Sequence, residues 1–188
     1  MDVCKLITGF NLEDVVVFDT ETTGTTGRDE IISISIVDVH GNDIFTSLIK
    51  PKHHISWIEA ERVNHISPSM VQSAPTIDEC VEVIARAFSG KLIVGYNVDF
   101  DIRMLRQSLK DDIGISRAAT FDVMKEYARV HGRRRWPDSG RYKYSKLVEC
   151  AEDYGYRFDA HDAQKDAIAT AYCFMSLITD ESYIRYAL

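Results

Sequence analysis

Val15-Val16-Val17-Phe18-Asp19-Thr20-Glu21-Thr22-Thr23-Gly24 passes directly from an unbroken apolar run to two acids and a glycine. Consecutive β-branched and aromatic residues read as a strand. Side chains two apart in a strand share a side, so Asp19 and Glu21 leave its end as neighbours. Like charges that close repel unless a cation lies between them or one acid is protonated. Strand ends also carry acids that have no function, so this pair by itself decides nothing.

Working outward, residues 30–37 place Ile32, Ile34 and Ile36 on one face at period two, and residues 44–49 follow the Gly41-Asn42 turn as a third strand. The first fifty residues therefore read as an antiparallel three-stranded meander. Residues 67–71 suggest a short helical turn. Residues 77–88 carry Ile77, Val81, Ile84 and Phe88 at helical spacing, with Thr76 as cap, and Leu92-Ile93-Val94 returns to strand. Further helices are expected after Asp99 and over 123–130, 144–154 and 162–178. The fold class is α/β, a mixed central sheet of the meander plus parallel strands flanked by helices. Residues 1–188 read as a single domain with its core over about 13–180.

No apolar run is long enough to span a bilayer, and Met1 to Ile7 lacks the basic start and apolar stretch of a secretion signal. No membrane association is expected, and the location expected is cytoplasmic. Cys4, Cys80, Cys150 and Cys173 are widely separated and form no C-x-x-C pair, which reads as reduced, mostly buried thiols. The net charge of -7 argues at first against a phosphate-rich partner. Distribution matters more than the total, because acids that converge on divalent cations cancel or reverse the local charge.

Two further acidic segments meet that requirement. In Gly95-Tyr96-Asn97-Val98-Asp99-Phe100-Asp101, Asp101 precedes Leu105 by one helical turn and so faces the apolar stripe, where a carboxylate is unexpected. Asp99 reads as an ordinary first-turn acid. In His161-Asp162-Ala163-Gln164-Lys165-Asp166-Ala167, Asp162 reads as the helix cap and Asp166 borders a buried face of Ala163, Ala167, Ala171 and Phe174. Those alanines let the helix pack close to the sheet, bringing Asp166 towards Asp19 and Glu21. Taken alone, His161 is an unremarkable loop histidine.

Together the three segments resemble the DnaQ-like exonucleases of the DEDDh type, whose motifs run D-x-E-T-T-G, N-x-x-F-D and H-x-x-x-x-D in this order. The resemblance covers residues 15 to about 177, and it implies a ribonuclease H-like fold. It also implies a 3′–5′ exonuclease in which Asp19, Glu21, Asp101 and Asp166 hold two divalent ions, Mg²⁺ or Mn²⁺. Asp19 would bridge the pair, Asp101 would act partly through water, and His161 would be the general base. By the same resemblance Thr22, Thr23 and Gly24 contact the terminal nucleotide, and Asn97 and Phe100 flank Asp101 and shape the pocket. Phe100 reads equally well as a core anchor. Val63-Asn64-His65-Ile66-Ser67 is similar to a family segment reading I-H-G-I-T. Ile66 is kept as a stacking wedge, and His65 stands where glycine is common.

The implied substrate is a nucleic acid with a free 3′ end, single-stranded DNA first, cut to nucleoside 5′-monophosphates. An exoribonuclease on RNA 3′ ends is the alternative, since the motifs do not distinguish the sugars. A noncatalytic module of the same fold is the third reading, and five intact catalytic positions argue against it. Association with a DNA polymerase is implied by proofreading members of the family. The chain ends at Leu188 soon after the last helix, without an evident polymerase-binding tail, which weakens that assignment. Arg133, Arg134, Arg135, Arg141, Tyr142, Lys143 and Lys146 either follow a strand backbone or form a solvated loop, and Trp136 reads as a local packing anchor.

Overall fold

The structure is a computed structural model that describes residues 3–109, 113–132 and 142–188. The expectations for Arg133, Arg134, Arg135, Trp136 and Arg141 lie outside the described residues. A five-stranded sheet runs in the order β3-β2-β1-β4-β5, built from β1 (Val15–Thr22), β2 (Ile31–Asp38), β3 (Asp43–Leu48), β4 (Leu92–Gly95) and β5 (Ala119–Asp122). β1, β2 and β3 pair antiparallel as the expected meander, whereas β4 joins β1 and β5 joins β4 in parallel. The helices are α1 (Val3–Thr8), α2 (Ile58–Asn64), α3 (Val81–Phe88), α4 (Val98–Ser108), α5 (Val123–Val130), α6 (Leu147–Asp153), α7 (Ala163–Thr179) and α8 (Glu181–Ala187).

The continuous apolar run of β1 reflects burial on both faces, as a central strand requires. Val15 and Val17 pack with Val37, Leu92, Val94 and the α7 residues Ala167, Ala171, Phe174 and Leu177. Val16 and Phe18 pack with Ile34, Ile36, Ile93 and, from α3 and α4, Ile84, Phe88, Met104 and Leu105. This alternation sets where the polar end of β1 points. Odd-numbered Asp19 and Glu21 continue the α7 side, and even-numbered Thr20 continues the α4 side.

Several expectations need correction. Ile32 does not join the cluster of Ile34 and Ile36, because the β1/β2 register shifts between Glu21 and Thr22, which pair with Ser33 and Ile31. That bulge leaves Ile32 to pack in a third cluster with Trp57, Ile66 and Val71. Residues 67–71 form turns, with no helix assigned there. Residues 77–80 form a 3-10 turn before α3, held by the expected Thr76 cap as a reciprocal capping box with Glu79. α6 begins at Leu147, three residues later than expected, while the short helix α2 and the edge strand β5 were not anticipated at all. All four cysteines are buried and none is in a disulfide. Among the described residues no helix is long and apolar enough to cross a membrane.

Candidate active site

The end of β1 brings Asp19 and Glu21 to the start of α7, where Asp166 meets them. One carboxylate oxygen from each of the three lies within 4.8 Å of the others. α7 is positioned by its cap: Asp162 accepts from the N–H groups of Gln164 at 3.1 Å and Lys165 at 3.0 Å. Asp166 then reaches back across the first turn, its two oxygens accepting from the N–H of His161 at 3.2 and 3.1 Å. His161 holds a left-handed φ of 73°, and its side chain is exposed.

Asp101 stands apart from this trio. It is buried on the α4 side of β1, where its Oδ1 accepts from the N–H of Thr20 at 3.1 Å and from the Thr20 hydroxyl at 2.7 Å. The parity of the strand explains the separation, since the carboxylate binds Thr20, an even-numbered residue of β1 whose side chain faces α4. Its charge still acts on Asp19 through the strand.

All four carboxyls are pushed up from their ordinary range. Burial is the largest cause for Asp19, followed by the charges of Asp101, Asp166 and Glu21. Burial and the Asp166 charge raise Glu21 to about 8, against a hydrogen bond from the Asn64 side chain that lowers it. Burial raises Asp101 to about 7, opposed by the Thr20 hydrogen bonds, and raises Asp166 to about 6, opposed by the His161 N–H. Loss of water is the first cause for all four, and the charges of the other acids add to it at Asp19 and Glu21, whereas Asp101 feels Asp122 and Asp166 feels Asp162. Hard oxygen donors gathered this closely, with protonation made favourable for want of positive charge, fit a divalent cation of the Mg²⁺ or Mn²⁺ type.

Beside the acids opens a cleft of about 430 Å³ lined by residues 20–25, by Glu59, Ala60, Val63 and Asn64 of α2, and by Phe100. Of the residues expected to contact substrate, Thr22, Thr23, Gly24 and Phe100 line it. Gly24 has a physical reason of its own: a Cβ there would meet the Asp29 carboxylate at 2.7 Å. Asp29 folds over the glycine because it accepts from the Thr23 hydroxyl at 3.0 Å and from the Thr26 N–H and hydroxyl, both at 2.7 Å.

Ile66 is not among the residues that line the cleft: it is 7% exposed, packed on Trp57, Ile32 and Val71, with its carbonyl accepting from Trp57 Nε1 at 2.6 Å. Asn97 is likewise outside the cleft lining; it is exposed, in a left-handed conformation, immediately before α4. His65 caps α2 at a left-handed φ of 59°, which accounts for glycine being common at that position in the resembled family.

Asn64 is the residue that sequence reasoning missed. It is buried, donates to the Thr22 carbonyl at 3.3 Å, accepts from the N–H of Ile66 at 3.1 Å, and lies near enough to Glu21 to lower its carboxyl. The helix-forming run Glu59-Ala60-Glu61-Arg62 was the available signal for α2.

Residues 16–174 match the RNase T family model, which is described as an exonuclease. The uncharacterized exonuclease CP81 of Escherichia phage 186 is 31% identical over 170 residues, with 84% of each chain covered. The DNA polymerase III subunit epsilon of Treponema pallidum (strain Nichols) is 30% identical over 166 residues, 86% of this chain and 74% of that protein. Among solved structures, exonuclease X in complex with 5′ overhanging duplex DNA superposes with a TM-score of 0.62 at 25% identity, over 86% of this chain and 89% of that one. E. coli exonuclease I in complex with a dA16 oligonucleotide shares the fold, with a TM-score of 0.67 at 20% identity over 90% of this chain. This chain spans 42% of that exonuclease I chain.

Proposed function

This chain belongs to the RNase T exonuclease family, among the DnaQ-like 3′–5′ exonucleases, and on that premise we propose that it removes nucleoside 5′-monophosphates one at a time from the 3′ end of single-stranded DNA. The observation that carries this reading is the convergence of Asp19, Glu21 and Asp166 within 4.8 Å beside an open cleft. Exonuclease I complexed with dA16 and exonuclease X complexed with overhanging duplex support DNA as the polymer. A DNA polymerase is the protein partner suggested by the likeness to polymerase III epsilon subunits.

In this reading Asp19, Glu21 and Asp166 hold two divalent cations, Mg²⁺ or Mn²⁺, and Asp101 contributes the fourth negative charge from across β1. Such ions, when bound, neutralise the phosphoryl oxygens and support the departing 3′-oxygen. Asn64 orients Glu21 through its side-chain amide. The backbone of Thr22, Thr23 and Gly24 forms the wall against which the terminal nucleotide lies, and Phe100 offers its ring to the base. Asn97, before α4, flanks the strand as it approaches Asp101. His161, exposed beside Asp166, takes a proton from the attacking water, which requires its neutral imidazole.

Degradation of end-labelled single-stranded DNA, duplex DNA and RNA with Mg²⁺ or Mn²⁺ tests the proposal. The expected result is stepwise shortening from the 3′ end, fastest on single-stranded DNA, and loss of turnover in Asp19→Asn with the fold intact. Degradation of RNA alone would move the substrate to RNA. Wild-type turnover by Asp19→Asn, free of contaminating nuclease, would remove these carboxylates from the chemistry.

A further inference from the structure

α4 has two faces with different work. Val98, Asp101, Met104 and Leu105 are buried against the sheet. Asp99, Ile102, Arg103, Arg106 and Gln107 recur at three- and four-residue spacing on the other side and line a groove of about 540 Å³. This groove adjoins the cleft through Arg103, which lines the groove and touches two residues of the cleft wall. Its guanidinium carbon lies 5.1 Å from the centroid of the Phe100 ring, and its Nη2 donates to the Thr25 carbonyl at 3.2 Å. Phe100 and Thr25 both line the cleft.

The charges along the groove are not equivalent. Asp99 is the acid on this face, and Lys125 Nζ neutralises it at 2.5 Å. Gln107 is committed to the loop after β1, with its Nε2 donating to the carbonyls of Thr26 at 3.1 Å and Asp29 at 2.5 Å. Arg106 is exposed and has no ion-pair partner among the described residues. A guanidinium anchored at the mouth of the cleft is thus followed, one turn on, by one with no ion-pair partner among the described residues. Guanidinium groups bind phosphate oxygens in a forked geometry that suits a polyanionic backbone.

We infer that the outer face of α4 is a strand-binding track: the nucleotides on the 5′ side of the terminal one leave the cleft past Phe100 and lay their phosphates on Arg103 and Arg106. The inference rests on the exonuclease reading and extends it from the terminal nucleotide to the strand behind it. Arg103 has a second duty, holding Phe100 and the Thr25 carbonyl together, so Arg106 is the cleaner probe. The track gives the protein a length preference, since a dinucleotide fills the cleft but is too short to engage Arg106.

The test compares Arg106→Glu and Arg106→Lys with the wild type on a DNA dinucleotide and a DNA decanucleotide. For Arg106→Glu the ratio of decanucleotide to dinucleotide kcat/KM should fall by about tenfold, and the slope of log affinity against log salt should flatten by roughly one unit for the lost phosphate contact. Arg106→Lys should restore most of both, which a purely structural role in an exposed side chain would not require. Decanucleotide affinity is also measured with EDTA, without turnover, so the two readings separate. Absence of hydrolysis by the wild type would remove the exonuclease reading, while equal decanucleotide affinity and equal salt slope in wild type and Arg106→Glu would overturn the track.

Discussion

Glu21 and Glu30 sit at the two ends of the loop joining β1 to β2, and both are taken largely out of water, yet their carboxyls are driven in opposite directions. Burial pushes Glu30 up, but the His54 ring and the N–H groups of Lys52, His53 and His54, at 2.7 to 2.9 Å, outweigh it and hold the carboxyl below its ordinary range. Glu21 has the Asn64 side chain as a donor and carboxylates for neighbours, and burial with the Asp166 charge lifts it to about 8. Burial is therefore not what distinguishes the two. Donors are: Glu30 is a strut that ties residues 52–54 to the sheet, whereas Glu21 and its partners leave a demand for positive charge that a cation can meet.

The largest effect that sharpens this contrast is expected at His161, whose N–H donates to both oxygens of Asp166 and whose exposed ring is the proton acceptor of the proposed reaction. His161→Asn keeps the N–H and tolerates the left-handed backbone, so it removes the imidazole alone. Turnover should fall by ~10² to 10⁴-fold while the Mg²⁺-induced rise in melting temperature is kept. Near-wild-type turnover with an unchanged pH profile would assign the proton to another group, with His65 the first alternative.

Stability should separate the two glutamates next. Glu30→Ala strips the acceptor from three N–H groups and should cost about 3 kcal/mol in urea unfolding. Glu21→Gln, measured at pH 8 in EDTA, should hold or slightly raise stability because it removes a repelling charge. Equal losses for both variants would break the comparison.

The smallest effect is the coupling of metal to pH. Glu21, Asp101 and Asp166 have raised folded-state values of about 8, 7 and 6. Their contribution to the stability of the metal-free protein is therefore complete below the unfolded carboxylate range and is lost as pH rises through 6 to 8. Glu30 and Asp29 are lowered, so what they contribute is present above that range and is lost as pH falls through it. Mg²⁺ or Mn²⁺ should accordingly raise the melting temperature more at pH 8 than at pH 5.5. A shift independent of pH would mean that the cation does not replace protons at these acids.

Much of the site was legible because its signals are local. Period two along β1 puts Asp19 and Glu21 on one side, Asp162 announces the start of α7, and the alanines of α7 mark the face that approaches the sheet. β5 escaped notice because it is short and its Ala-Thr-Phe-Asp sequence carries little apolar pattern; its pairing with β4 makes it a strand. Ile66 was expected at the substrate from the likeness of residues 63–67 to a family segment, and only the tertiary structure shows Trp57, Ile32 and Val71 packed around it.

The sequence by itself determined the sheet's meander, the order of the acidic motifs and the helix that presents Asp166, since each depends on periodicity or on a cap within a few residues. Only the tertiary structure decided that Asp101 binds Thr20 on the far side of β1, that Asn64 reaches the Thr22 carbonyl, and that Arg103 joins the cleft to the groove of α4. Those contacts link residues far apart along the chain. Their geometry follows from the bulge at Ile32 and from the packing of α4 and α7 on opposite faces of the sheet, which no local pattern of residues encodes.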